Sequence, residues 1–364
     1  MQLQNSAQID PEEGNKLSFP EVFPVSHPVE ALRAGIPFQQ LKQHLLSGRY
    51  LLAGDTYGTT MAFYSWLKKD NAARRPIHDF HSARRNKEKL SQLTQLLLIP
   101  VADGHVLLKG APENQWLKSF YPAQQTFLMR FTDFLGLNGA WQWFQKGILF
   151  PGLKRRIHPF YGVYFPTRTE HLVLFDHWLS RQTPFENAVD MGTGCGVLTQ
   201  YLLMHGCRKV TATDVNPNAL YSVKKDIEQQ TPQMNVVLKH GSLFEPLDEE
   251  NQQLFVFNPP WIPATTTNSL DLATHYDEGF FTSFFDQAAT RMKSGSLLVL
   301  FFSNFAEVAG LTQRHPFVEE LGLQRFELVE KLEQPLHQPL SARKDWLSAI
   351  RQKEKNELWV LRKK

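Results

Sequence analysis

Only two cysteines, Cys195 and Cys207, occur in the 364 residues. That is too few for a disulfide framework or an all-cysteine metal site, and a reducing, cytoplasmic setting is expected. No apolar run reaches the roughly 18–20 residues that span a bilayer, so no membrane partner is expected. The first residues, Met1 to Asn15, are polar and acidic and lack the basic-then-apolar order of an export leader. His158, His171, His177 and His205 have no ligand-like spacing with cysteine or carboxylate. They read as surface or core histidines, and no metal is expected. Internal repeats and low-complexity tracts are also lacking.

What the chain does have is enough apolar material for a large core, 42% hydrophobic and 12% aromatic residues, in a length that suggests two domains. The net charge of +3 hides an asymmetry: residues 1–156 hold 19 Lys and Arg against 12 Asp and Glu, whereas 157–364 hold 20 against 24. Much of the excess lies in Lys68, Lys69, Arg74, Arg75, Arg84, Arg85, Lys87 and Lys89. Such a stretch suits a solvated helix-and-loop surface, or contact with an anionic partner such as RNA.

Residues 1–30, rich in Pro, Glu, Gln and Ser, read as a flexible lead-in. Residues 31–155 read as a separate α+β domain that selects substrate. Its signals are a helix at Pro37–Leu46, a strand at Tyr50–Gly54, a helix at Met61–Lys69 and a hairpin around Asp103-Gly104. Aromatic-rich helices are expected between Gln124 and Phe150, and Gly152–Arg156 is the expected boundary. The segment Tyr50–Gly58 resembles a worn strand–turn–helix, although Asp55 lacks the glycines that would let it hold a cofactor.

From 156 to 364 strands and helices alternate. Strands are expected at Ala188–Met191, Lys209–Asp214, Asn235–Lys239, Leu254–Asn258, Ser296–Phe302, Arg325–Lys331 and Glu357–Arg362. Helices are expected from Thr169-Glu170, at Pro217–Gln229 and at Gly279–Met292. The pattern predicts an α/β, Rossmann-like fold with a seven-stranded, mostly parallel sheet covered on both faces. Ligands then bind beyond the carboxyl ends of the strands.

Two segments sit at such ends. Asp190-Met191-Gly192-Thr193-Gly194-Cys195-Gly196 is a glycine-rich turn, which allows close backbone approach to a ligand. Val197 stands where a dinucleotide fingerprint has a third Gly or Ala. Asp190 puts a negative charge beside the turn, suiting an ammonium better than a pyrophosphate. Asp214 closes the next strand, before Val215, where a carboxylate can accept both ribose hydroxyls of an adenosyl group. Ser242-Leu243 follow the third strand and flank the adenine position. Cys195 reads as a small residue filling the turn.

The second segment is Asn258-Pro259-Pro260-Trp261. Two prolines fix the backbone and remove two N–H donors, leaving carbonyls free. The Asn258 side-chain oxygen and the Pro259 carbonyl can together hold an –NH₂ group, and Trp261 offers a flat face for a planar amide or base.

Residues 160–263 resemble the class I S-adenosylmethionine-dependent methyltransferases. The resemblance is strongest to the HemK-like, or methyltransferase small domain, branch, which methylates the glutamine amide of peptide-chain release factors. It rests on Asp190, Gly192, Gly194, Gly196, Asp214, Ser242-Leu243, Asn258–Trp261 and the upstream segment Val163–Glu170. Trp261 stands where that family usually has Tyr, the upstream segment is one residue shorter, and residues 1–150 match no release-factor-binding region. The resemblance implies S-adenosylmethionine held by Asp190, Gly192, Thr193, Gly194, Gly196, Asp214, Val215, Ser242, Leu243 and Asn258. It implies transfer at Asn258, Pro259, Pro260 and Trp261, with Arg168 and Trp261 contacting the substrate. The acceptor stays open: a protein glutamine amide, the exocyclic amine of an RNA or DNA adenine, or a small planar metabolite.

Overall fold

The computed structural model describes residues 17–33, 35–123, 125–229, 235–248, 251–264, 273–336 and 346–364. The chain forms two compact units, Met1–Gln142 and Trp143–Lys364.

The elements of the first unit run in the order β1 (Val22–Phe23), β2 (Glu30–Leu32), α1 (Phe38–Leu46), β3 (Leu51–Ala53), α2 (Tyr57–Arg74), α3 (Phe80–Thr94), β4 (Leu97–Ala102), β5 (His105–Val106), α4 (Trp116–Phe120) and β6 (Thr126–Arg130). They lead into α5 (Phe131–Lys146), within which the division between units falls. The sheet order is β1-β6-β4-β3-β2, with β5 on β4. Strands β2, β3 and β4 are mutually parallel, and β6 runs against β4. Asp103 and Gly104 take positive φ, 50° and 77°, in the β4–β5 turn, as a tight hairpin requires.

Three sequence expectations need correction here. Residues 1–16 of the expected lead-in lie outside the described residues, but the rest is tied down. Phe19 stacks on Phe120 at 4.1 Å, the Tyr121 hydroxyl donates to the Pro20 carbonyl at 2.6 Å, and Val22–Phe23 pairs with β6. Thr126–Arg130, expected as helix, is strand β6: Phe127, Leu128 and Met129 are all buried beside β4, a continuous apolar run rather than a helical stripe. The division between units falls before Gly152–Arg156, because that turn packs within the second unit. There the Tyr201 hydroxyl donates to the Pro151 carbonyl, and a Cβ on Gly152 would lie 2.9 Å from the Asp176 carboxylate.

The second unit contains α6 (Glu170–Leu179), β7 (Asn187–Met191), α7 (Val197–Met204), β8 (Lys209–Asp214), α8 (Pro217–Glu228), β9 (Val236–His240) and β10 (Leu254–Phe257). There follow β11 (Ile262–Pro263), β12 (His275–Tyr276), α9 (Phe280–Arg291), β13 (Leu297–Ser303), α10 (Phe305–Val308), α11 (Pro316–Gly322), β14 (Phe326–Pro335), α12 (Trp346–Arg351) and β15 (Lys355–Lys363). The main sheet runs β14-β15-β13-β10-β7-β8-β9. Six strands run in one direction, and β15 lies antiparallel to both its neighbours, β13 and β14. Strand β10, Leu-Phe-Val-Phe, is buried at every position, because helices cover both faces of a central parallel strand. One face carries an aromatic core in which Phe244, Phe257, Phe281, Phe284, Phe285 and Phe317 pack against β7, β10 and β13. None of the described helices is long and apolar enough to cross a membrane.

At the antiparallel edge, Glu357 of β15 is 5% exposed. It accepts hydrogen bonds from His315 Nε2 (3.0 Å), Trp359 Nε1 (2.7 Å) and Lys331 Nζ (3.0 Å). His315 Nδ1 accepts from the Phe317 N–H, so the ring proton sits on Nε2. Burial alone would raise the Glu357 carboxyl, but its donors outweigh burial and hold it at about 2. A carboxyl depressed in the fold stabilises above its unfolded value of about 4.3 and loses that contribution as pH falls toward 2. Glu357→Gln is therefore expected to cost roughly 3 kcal/mol at neutral pH. In urea denaturation the gap to the native chain should close between about pH 4.5 and 2.

Candidate active site

Strands β7 and β10 are neighbours in register, Asp190 opposite Val256 and Met191 opposite Phe257. Strands β8 and β9 continue on one side and β13 on the other, so the strand order reverses between β7 and β10. Open α/β sheets bind ligands outside the carboxyl ends at such a reversal. The segments 192–196, 215, 241–243 and 258–261 all leave from carboxyl ends here, after β7, β8, β9 and β10 respectively.

Alternation along β7 sends Val189 and Met191 into the aromatic core and Asp190 toward α7. Asp190 is fully buried. Its Oδ2 accepts from the Thr193 hydroxyl (2.7 Å), the Thr199 N–H (2.9 Å) and the Thr199 hydroxyl (2.6 Å). Its Oδ1 is buried without a partner. Burial pushes the carboxyl up to about 6, against the opposing pull of the Thr199 and Thr193 donors. A carboxylate with one saturated oxygen and one orphaned oxygen fits an incoming ammonium, which would satisfy the orphan and favour the charged form.

The three glycines of the turn all take positive φ: Gly192 at 64°, Gly194 at 51° and Gly196 at 80°. A Cβ on Gly194 would lie 2.9 Å from the Tyr164 carbonyl oxygen, and one on Gly196 would lie 2.9 Å from Val223 of α8. The Cys195 N–H donates to that same Tyr164 carbonyl at 3.0 Å. Two of these glycines thus serve close packing within the protein, and Gly194 lets the turn seat segment 163–165. Gly194→Ala is expected to lower stability by about 1–3 kcal/mol, read as a thermal-melting shift, and to weaken cofactor binding by displacing Tyr164.

Asp214 ends β8 and receives the Gly194 N–H on Oδ2 (2.9 Å) and the Asn216 N–H on Oδ1 (2.8 Å). Burial raises its carboxyl, partly offset by those N–H groups. Each oxygen keeps a lone pair, so the pair can still accept two vicinal hydroxyls. Val215, beside it, is 51% exposed, an apolar surface suited to a flat ring. Ser242 is exposed, and Leu243 holds φ +48°, a left-handed conformation that costs energy for a branched side chain. Cys195 is buried and its thiol is pushed up to about 12 by that burial, which makes it inert packing rather than a nucleophile.

Asn258 and Trp261 each contribute a buried polar atom without a partner, Oδ1 and Nε1. Both residues, with Pro259, line a cleft of about 170 Å³ whose walls include Tyr164, Pro166, Thr167, Arg168 and His171. Pro260 is buried and is not among the lining residues. Asp190, Asp214 and Ser242 lie outside the lining of this cleft. Tyr164 links the two halves, with its carbonyl on the glycine turn and its residue in the cleft wall.

Sequence reasoning missed several wall residues: His171, Thr274, Phe305, Arg351 and Glu354. His171 is the buried histidine that the sequence left between surface and core. Its ring meets Trp261 edge-on at 5.5 Å and 89°, and burial pulls it down to about 4. The others carry no motif in sequence. Among the described residues no group of three His, Cys, Asp or Glu side chains could hold a metal ion.

Residues 172–315 match the family model described as "Methyltransferase small domain". The chain is 34% identical over 94 residues to the release factor glutamine methyltransferase of Geobacter sulfurreducens, covering 25% of this chain and 32% of that one. It is 30% identical over 94 residues to the ribosomal protein uL3 glutamine methyltransferase of Bordetella pertussis, covering 26% and 32%. A protein named as an N5-glutamine methyltransferase in Methanocaldococcus jannaschii is 23% identical over 120 residues, 33% of this chain and 57% of that one. The chain thus spans between a third and little more than half of the length of these relatives. The matched family segment contains the glycine turn, Asp214, Ser242 and Asn258–Trp261. Residues 172–315 of the second unit, which contain the strand reversal, are thus a methyltransferase small domain of the class I S-adenosylmethionine-dependent methyltransferases.

Proposed function

We propose that the protein transfers a methyl group to the amide nitrogen of a glutamine side chain in a protein substrate. The observation that carries this reading is the unpartnered Asn258 Oδ1 at the carboxyl end of β10, beside the Pro259 carbonyl. An –NH₂ group satisfies two such acceptors at once, leaving its nitrogen turned toward the donor. S-adenosylmethionine, when bound, supplies an electrophilic methyl on a sulfonium whose leaving group is neutral, so little acid–base help is needed. The contribution of the chain is then positioning, and good alignment supplies several kcal/mol.

Asp190 holds the ammonium of the methionine moiety, and Asp214 takes the ribose hydroxyls. Gly192, Thr193, Gly194 and Gly196 shape the turn, and Val215, Ser242 and Leu243 flank the adenine. Trp261 stacks on the planar acceptor, and Arg168 contacts the substrate nearby. The first unit, Met1–Gln142, selects the substrate. The names of the three relatives support the glutamine acceptor.

A second reading, an adenine exocyclic amine in RNA or DNA, is favoured by the basic excess of residues 1–156. Labelled-methyl transfer in a cell lysate separates the two. The glutamine reading predicts label that protease releases and nuclease leaves in place; the reverse would overturn it.

A further inference from the structure

The cleft wall beside Asn258 carries two guanidinium groups, Arg168 and Arg351. Arg351 is held in place: its Nη1 donates to Glu354 at 2.8 Å, and the Ser303 hydroxyl donates to the other Glu354 oxygen at 2.9 Å. Its guanidinium also lies 5.3 Å from the Phe305 ring centre. Yet the Arg351 Nε–H is buried without an acceptor. Among the described residues Arg168 makes neither a hydrogen bond nor an ion pair. Burial disfavours its charge most, the neighbouring charge of Arg351 disfavours it further, and the carboxylates of Glu354 and Glu170 act the other way without overcoming burial.

Among the described residues Arg168, Arg351 and Glu354 are the charged ones of this wall, and His171 is neutral at physiological pH. Glu354 is engaged by Arg351 and Ser303, and Glu170 acts on Arg168 without an ion pair, so among the described residues Arg168 is left without a direct counter-ion in a partly desolvated wall. A half-buried cation without a counter-ion is costly, and a bound anion relieves that cost.

We propose that Arg168, backed by Arg351, forms a carboxylate subsite beside the amide clamp, so that the substrate presents an Asp or Glu side chain next to the methylated glutamine. This rests on the protein-glutamine reading above. The unpaired Arg168 fork and the unsatisfied Arg351 Nε–H offer donors that suit one planar carboxylate. A polynucleotide would instead meet a unit with no net positive charge, since residues 143–364 hold 24 Lys and Arg against 24 Asp and Glu.

The test uses the full chain, labelled S-adenosylmethionine and a library of short peptides with a central glutamine and randomised flanks. Sequencing of the methylated peptides is expected to show Asp and Glu enriched at a fixed flanking position. Replacing that acid by Ala in a preferred peptide should lower kcat/KM by at least about tenfold. In Arg168→Glu the preference should swap to Lys and Arg, which a merely structural arginine would not produce; S-adenosylhomocysteine binding reports whether that variant folds. Methylated glutamine peptides without acidic enrichment would overturn the subsite and leave the glutamine reading standing. Label entering nucleic acid but no glutamine peptide would overturn both.

Discussion

Asn258→Ala is expected to slow methyl transfer by roughly 10²–10³-fold, the scale seen when one preorganised hydrogen-bonding group of an active site is removed. S-adenosylhomocysteine affinity should stay within a few-fold. The side-chain oxygen of Asn258 has no partner among the described residues, so its removal breaks no hydrogen bond among them. Its neighbours Phe255 and Phe257 keep their places in the core. The loss should therefore fall on the chemistry rather than on the fold. Calorimetry of cofactor binding beside single-turnover rates checks this, and equal losses in both would remove Asn258 from its assigned role.

The second large effect concerns Asp190. Asp190→Asn keeps the shape, and its amide oxygen can still accept from Thr193 and Thr199. The amide NH₂ then occupies the position of the orphaned Oδ1. There it faces the cofactor's ammonium donor to donor, and without cofactor it is a buried unsatisfied donor costing about 1–3 kcal/mol. Affinity for S-adenosylhomocysteine is expected to fall by at least about a hundredfold, near 2.7 kcal/mol. In the native chain the carboxyl sits near 6 because of burial. Holding an ammonium needs its charged form, so affinity should be present above that value and decline as pH falls through it. The Asn variant should lack this dependence. Titrations between about pH 5 and 8 read both effects, and a flat profile in the native chain would exclude the ammonium contact.

Much of this site was legible because the residues that carry it also punctuate the sheet. Asp190 and Asn258 each end a short apolar run, and the glycines and prolines that follow mark the turns unambiguously. Pro217 and its cap Asn216, whose side chain accepts from the Asn218 N–H, likewise fix the start of α8 from local chemistry. Elsewhere local chemistry was silent or misleading. No Gly or Pro separates Thr126–Arg130 from Phe131, so a buried strand and the following helix read as one aromatic helical stretch. The polar run of α3 read as solvated charge, although Asp79 and Ser82 cap it reciprocally. Arg351 and Glu354 reach the cleft from the segment between β14 and β15, a proximity created by chain topology alone. The pairing of Gly194 with the Tyr164 carbonyl was equally invisible, because the sequence offers a ligand as the natural reason for such a glycine.

The most direct measurement asks where the methyl group ends. Protein labelled by this enzyme and S-adenosylmethionine can be hydrolysed in acid, which cleaves a side-chain amide and frees the nitrogen with whatever it carries. Labelled methylamine, volatile once the hydrolysate is made alkaline, with the side chain recovered as unlabelled glutamate, is the outcome that a methylated glutamine requires. Label that stays behind on a non-volatile base or amino acid would contradict the amide clamp at Asn258.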